Sequence, residues 1–335
     1  MSQNKKKILI FGVSGNSGRY VAKHFIKQGC EVFGVGRRKE VTDLEGLNYL
    51  SLDIRNSKNF SSLPDEVDLV INFAGVQPAV LNSSEKTDLI KTLREYVDTN
   101  LSGVYNILEY VLKSKVGTYI YSTTHRDYEL YWNDNKLLDN NLSPNINYSG
   151  DHAMYAISKV AGQMMGDYMV PLKDTRCFNL RLPMIFMVPE KPYFLFNGEK
   201  KTMPFLKLIH EAIKGNDLEI WGNPNMPRDY VYIDNLINMV QLCFDSKIKG
   251  GTFSVGTGEG VTTERFIKSI GKIFGSSSIS YSYHPEKLTY KSAVYNVKDQ
   301  IDLLGYEPVL LQEMLLLMKK KIYEGDYFKK WGWSN

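Results

Sequence analysis

The chain is short of cysteine, of long apolar runs and of any excess of one charge, and each shortage removes a class of protein. Only Cys30, Cys177 and Cys243 occur in 335 residues, odd in number and far apart, which argues against a disulfide framework and against a zinc site. No bound metal is expected. After the basic start, Met1 to Lys7, the first apolar run is only Ile8 to Phe11 before glycines intervene. Neither a signal peptide nor a membrane anchor is expected from that, and no later run approaches the ~20 apolar residues of a membrane helix. Lys and Arg number 41 against 37 Asp and Glu, a formal charge of +4, and the basic residues are scattered rather than blocked. No nucleic-acid surface is expected; acidic small molecules are left as ligands. Repeats and low-complexity tracts are absent as well. With 43% hydrophobic and 12% aromatic residues, the chain reads as a folded soluble protein with a sizeable core, expected in a reducing cytoplasm.

What is present begins with a buried strand, Ile8 to Phe11, running into Gly12-Val13-Ser14-Gly15-Asn16-Ser17-Gly18 and then a helix with Val21, Phe25 and Ile26 on one side. Strand, glycine turn and helix in that order read as a dinucleotide site, because glycines admit a phosphate close to the backbone and the helix amides meet it. Glu31 to Val35 reads as the second strand, followed by Gly36-Arg37-Arg38-Lys39. An acid at this point would bind a free ribose 2′-hydroxyl; arginines would pair with a 2′-phosphate, so NADP(H) is favoured over NAD(H). Further strands are read at Tyr49–Asp53, Leu69–Gly75, Thr118–Tyr121 and Arg176–Leu182, and a long helix between Lys86 and Lys115 contains Asn100 and Gly103. Residues 129–152, polar and asparagine-rich, read as a surface loop over the site. Beyond Pro183 the strand and helix rhythm breaks, which marks a domain boundary.

Tyr155 and Lys159 stand four residues apart, on one face of a helix. A neighbouring ammonium favours the phenolate, so the pair is a candidate acid/base device. Ser122, Thr123 and Thr124 close the fifth strand, at the carboxyl edge where ligands collect on open parallel sheets.

Together, Gly12-x-x-Gly15-x-x-Gly18, Thr124, Tyr155-x-x-x-Lys159, Arg228-Asp229-Tyr230-Val231, Gly256-Thr257-Gly258 and Leu304-Gly305-Tyr306-Glu307-Pro308 resemble the extended short-chain dehydrogenase/reductases, the NAD(P)-dependent nucleotide-sugar epimerase and dehydratase family, over nearly the whole chain. The resemblance implies an α/β fold, a Rossmann-type doubly wound parallel sheet in residues 1–182 with 229–255 returning to it. Residues 183–335 would mostly form a smaller α/β domain for a nucleotide sugar. It implies Thr124 as the hydroxyl that polarises a carbonyl, Tyr155 as proton carrier, and Lys159 as the residue that holds the nicotinamide ribose and lowers the tyrosine pKa. Gly12, Gly15, Asn16, Ser17, Gly18, Arg37, Arg38, Asp53, Ile54, Phe73, Ala74 and Gly75 would meet the cofactor, with Asp53 and Ile54 beside the adenine. His125, Arg126 and Arg228 would meet the substrate, Arg228 on its diphosphate. A homodimer is the expected assembly. The chain departs from the family at Glu129, Met184, Met187 and Val188, so base and sugar are not read. Reduction of a 4-keto nucleotide sugar by NADPH is the leading function, 4-epimerisation in the same site the alternative. A non-catalytic dinucleotide sensor is a third, and would have no use for Thr124, Tyr155 and Lys159 together. The Asp-Glu pair that family dehydratases carry after the hydroxyl residue is His125-Arg126 here, which argues against dehydration, since arginine cannot act as a base.

Overall fold

A computed structural model describes residues 5–77, 89–132, 136–149, 152–196, 199–275, 278–289 and 291–333. Strand β1 (Lys7–Phe11) shows why a parallel sheet forms. Ile8 and Ile10 point into one core while Leu9 and Phe11 point into another, so both faces are buried, as in a sheet covered by helices on two sides. The other strands of the sheet are β2 (Glu31–Gly36), β3 (Leu47–Ser51), β4 (Glu66–Asn72), β5 (Lys115–Thr124), β6 (Arg176–Leu182) and β7 (Gly250–Ser254). Their order is β7-β6-β5-β4-β1-β2-β3, with every neighbouring pair parallel. This is a doubly wound Rossmann-type sheet. The chain reverses direction across the sheet between β1 and β4, which opens a crevice at their carboxyl ends.

Helix α1 (Asn16–Lys27) covers one face with Val21, Ala22 and Phe25. On the other side a long helical segment begins as α2 (Leu89–Tyr96), widens to a π turn over Val97–Ser102, and continues as α3 (Gly103–Lys113), which buries Val104, Ile107, Leu108 and Val111. The single helix expected over Lys86–Lys115 is thus interrupted, and its first residues lie outside those described. Helix α4 (Ala153–Met169) carries Tyr155 and Lys159.

Beyond β6 the remaining helices are α5 (Pro204–Ile213), α6 (Ile233–Asp245), α7 (Thr263–Phe274), α8 (Lys298–Leu304), α9 (Leu311–Glu324) and α10 (Tyr327–Lys330). Short strand pairs join them: Leu218–Trp221 runs parallel to Tyr281–His284, and Val231–Tyr232 to Ile185–Phe186. One hydrophobic cluster runs without a break from Ile8, Val21 and Phe25 through Leu236 and Val240 to Leu206, Phe266 and Met314. The C-terminal elements therefore share the core of one sheet face.

Four expected elements differ in place. β4 begins and ends three residues earlier than Leu69–Gly75, and β5 runs three residues further at each end than Thr118–Tyr121. β3 begins and ends two residues earlier than expected, which leaves Asp53 beyond its end. The described residues among 129–152 are not merely a surface loop. Tyr128 is fully buried beneath them and donates to the carbonyls of Asn140 and Leu142 at 3.0 and 2.8 Å, and Leu137–Leu138 pairs with Val294–Tyr295. The three cysteines are free thiols. Among the described residues no helix is long and apolar enough to cross a membrane, and no group of three or more His, Cys, Asp or Glu is placed to hold a metal.

Candidate active site

The turn after β1 is built by close backbone approaches. Gly12 has φ +81°, and a Cβ there would lie 2.7 Å from the Ala74 amide nitrogen; one on Gly18 would lie 2.5 Å from the Gly12 carbonyl oxygen. Gly15 caps α1 without a side-chain bond, and no acid stands in the first turn. The opening amides and the positive end of the helix dipole are therefore left for an anion. That fits a pyrophosphate. The turn forms one wall of a cleft of about 1000 Å³.

Gly12, Gly15, Asn16, Ser17, Gly18, Arg37, Arg38, Asp53, Ile54, Phe73, Ala74 and Gly75 all line this cleft, and so do Thr124, His125, Arg126, Tyr155 and Lys159. Arg228 does not. It sits on the short strand Pro227–Arg228, paired with Val261–Thr262, its guanidinium 5.9 Å from the centre of the Tyr230 ring. At Gly36 an added Cβ would approach Ser14 Oγ to 2.9 Å and the Tyr49 hydroxyl to 3.0 Å, so a side chain there would have to push those two hydroxyls aside. The Asp53 carboxylate is taken by Arg55, with Nε at 3.0 Å and Nη2 at 2.6 Å, and this bond holds its pKa below the usual carboxylate range.

Thr124 ends β5, almost wholly buried, and its Oγ1 accepts from the Arg126 amide at 3.2 Å. Its hydroxyl lies close enough to Tyr155 to act on that residue's pKa. Burial pushes the Tyr155 pKa up, and the Thr124 hydroxyl and the Arg126 charge only partly oppose it. Lowering by Lys159 was the expectation. Instead Lys159 is turned inward, its Nζ donating to Ser122 Oγ at 3.4 Å and lying 4.3 Å from the centre of the Tyr121 ring. Burial brings its pKa down to about 7. Tyr155 is thus a protonated phenol at neutral pH, in the same cleft as the Thr124 hydroxyl: a proton donor for an oxygen placed between them.

The residues after Thr124 are held by partners. His125 Nδ1 lies 2.9 Å from the Tyr295 hydroxyl, and burial, followed by the charges of Arg126 and Arg228, holds its pKa well below the usual histidine value. It does not titrate near neutrality, contrary to the expectation for an ordinary histidine. Arg126 pairs with Glu129 at 3.1 Å and lies over Trp132. Asp127, fully buried, pairs with Arg181 at 2.9 Å, and burial outweighs the arginine to raise its pKa to about 6. Asp229 accepts from Thr257, Gly258 and Tyr295, and so ties the Gly256-Thr257-Gly258 turn to the strand that precedes α6.

Some contributors were not read from the sequence. Asn100, inside the helix read between Lys86 and Lys115, accepts from the Val76 amide at 2.8 Å and donates to Ser158 Oγ at 3.0 Å, so it braces the cleft floor against the helix of Tyr155. An asparagine and a glycine inside an otherwise apolar helical pattern were the available signal. Tyr121 and Tyr295 left none, because each acts through a residue distant in the chain.

Comparison with known proteins follows the same lines. A UDP-N-acetyl-alpha-D-glucosaminuronate decarboxylase of Bacillus cytotoxicus is 23% identical over 286 residues, 82% of each chain. Among solved structures, a UDP-glucose 4-epimerase of Thermotoga maritima superposes with a TM-score of 0.74 at 20% identity, covering 95% of this chain and 99% of its own. A UDP-glucuronic acid 4-epimerase of Bacillus cereus, in complex with NAD and a UDP-fluorosugar, gives 0.73 at 20% identity with the same coverage. The family description that matches residues 8–256 spans the glycine turn, the hydroxyl-bearing end of β5, the Tyr155 helix and the last strand of the sheet, and the chain belongs to that family, the NAD dependent epimerases and dehydratases.

Proposed function

We propose that this protein exchanges hydride at C4 of a nucleotide-diphosphate sugar, acting as a reductase of a 4-ketone with NADPH. The observation that carries this reading is the half-buried Tyr155 phenol, kept protonated, in the same cleft as the Thr124 hydroxyl, a pair that can donate to a ketone oxygen as it becomes an alkoxide. A nicotinamide dinucleotide, when bound, supplies the hydride. Gly12, Gly15, Asn16, Ser17 and Gly18 would hold its pyrophosphate, Arg37 and Arg38 the 2′-phosphate, Asp53 and Ile54 the adenine side, and Phe73, Ala74, Gly75 and Lys159 the nicotinamide half. Thr124 orients the ketone oxygen and Tyr155 protonates it. His125, Arg126 and Arg228 would serve the nucleotide sugar, in a division of labour where residues 1–182 and 229–255 carry the cofactor and most of 183–335 the substrate.

Dehydration is disfavoured by what has become of the nearest carboxylates. Asp127 is held by Arg181 and Glu129 by Arg126, so neither is free to take the part of the missing acid and base. The second reading is 4-epimerisation, favoured by the likeness to 4-epimerase structures. Purified protein would be incubated with a panel of nucleotide sugars and their 4-keto forms, with NADPH or NADH, and followed by mass spectrometry. Stoichiometric loss of NADPH with a new 4-hydroxyl supports reduction. Isomerisation without net cofactor change makes it an epimerase, and no conversion of any sugar with either cofactor overturns both.

A further inference from the structure

His125 follows the reacting hydroxyl residue in the chain and lines the same cleft. Its hydrogen bond to Tyr295 has a direction that the surroundings decide. Tyr295 is fully buried, and among the described residues His125 Nδ1 is the only partner of its hydroxyl. If the imidazole donated, the phenol proton would be stranded without an acceptor, at the cost of a buried unsatisfied group. Loss of that proton is opposed too, since burial, and then the Asp229 and Asp127 charges, push the Tyr295 pKa well above its ordinary value. Tyr295 therefore donates to Nδ1, and the single ring proton of His125 sits on Nε2. A second proton is resisted by burial and by Arg126, Arg228, His152 and Arg181. The ring is further fixed against Trp132, centroids 4.9 Å apart.

We infer that His125 is a specificity residue: a ring kept neutral and in one tautomer by Tyr295, offering a fixed Nε2–H donor to an uncharged hydroxyl flanking C4 of the sugar, the 3-hydroxyl on C3 or the 6-hydroxyl that C5 carries through C6. The inference rests on the C4 reading for the identity of the reacting carbon, because Thr124 and His125 are adjacent. An uncharged acceptor suits it better than a carboxylate. A hydroxyl oxygen accepts from the neutral Nε2–H with no change of protonation state, and the guanidinium next in the chain, Arg126, which could pair with a carboxylate, is already paired with Glu129.

Two measurements test this, and the first needs no substrate. In protein labelled with ¹⁵N at histidine, two-bond proton–nitrogen correlations should show His125 in the Nε2–H form from pH 6 to 8, and Tyr295→Phe should let the Nδ1–H form appear. An Nδ1–H ring or an imidazolium at pH 7 in the wild type overturns the inference. The second is calorimetry in the presence of NADP⁺ with UDP-, GDP- and dTDP-glucose, then with the 3-deoxy and 6-deoxy analogues of the tightest binder. Loss of one of the two hydroxyls should weaken binding about tenfold in the wild type. That discrimination should vanish in His125→Ala and return in part in His125→Gln, whose amide reaches the Nε2 position. Equal discrimination in wild type and His125→Ala overturns the inference. If no hexose binds, the C4 reading fails, and the inference is overturned with it as regards the sugar; the tautomer is still decided by the NMR.

Discussion

Lys159 and Tyr155 show how far two residues can be read in advance. Their four-residue spacing announces a shared helix face, but the inward turn of Lys159 is set by Ser122 and Tyr121 on β5, and no window of sequence around the lysine contains them. The separation of roles gives a prediction. Tyr155→Phe should lower turnover about 100-fold or more with little change in cofactor affinity, whereas Lys159→Met should reduce both; retention of more than about a tenth of the wild-type rate in Tyr155→Phe would remove its catalytic role. The lysine also has a pH signature. Its pKa is about 7 in the folded protein against 10.5 ordinarily, so between those values the unfolded chain binds the extra proton, and this residue's contribution to stability rises with pH. Denaturant unfolding of the protein without cofactor at pH 7, 8 and 9 should show wild type gaining on Lys159→Met step by step. A constant difference would contradict the burial of that ammonium. At the adenine end, Gly36 supplies no acid, and Arg37→Ala/Arg38→Ala should weaken NADP(H) by about 1.5 to 3 kcal/mol per lost bond while leaving NAD(H) nearly unchanged. Calorimetry that found equal affinity for the two cofactors in wild type would end the NADPH assignment.

Among the elements, three of the five interior strands were the most legible, while β4 and β5 lie three residues from their expected bounds. β1, β2 and β6 appear within a residue of where Ile8–Phe11, Glu31–Val35 and Arg176–Leu182 place them, because continuous apolar runs bounded by glycine, proline or polar residues can be buried on both faces only in a sheet. β3 slipped by two residues. At the sheet edge its burial is only partial, so its pattern competes weakly with the Asp53 that follows. The π turn at Val97–Ser102 was not legible at all: it exists so that Thr99 and Asn100 face the cleft floor, and its hydrogen-bond partners, Val76 and Ser158, come from other elements. Asn100→Ala strands the buried Val76 amide, which should cost about 1 to 3 kcal/mol, and it frees the start of α4, so turnover should fall along with stability. Unfolding and rate measurements on the same preparation check it; an unchanged midpoint would mean that the brace is dispensable.

The molecule as a whole presents apolar side chains on two adjacent helical segments: Leu93, Val97 and Tyr105 on one, Ile157, Met164 and Tyr168 on the other, all exposed. A second copy of the chain is the occupant that the expected homodimer supplies. Light scattering should give twice the chain mass for wild type and the single mass for Tyr105→Glu/Met164→Glu, and a monomeric wild type would refute the expectation. Sequence suggested two domains divided at Pro183 with residues 229–255 returning to the first, and in the structure helix α6 and strand β7, both within that stretch, lie on the sheet and join the apolar interiors in one cluster. That return bears on how the protein is made. β6 is complete when Leu182 leaves the ribosome, but its outer neighbour is Gly250–Ser254, and until it arrives the strand's outward amides and carbonyls stand unpaired as a template for other chains. At roughly 5–20 residues per second, the roughly 70 intervening residues leave that edge open for roughly 3 to 14 s in every round of synthesis. A nascent chain stalled between residues 183 and 249 should therefore bind holdase chaperones and aggregate more readily than one stalled past Val255, so the hazard of producing this protein lies in a short interval of translation rather than in the finished fold.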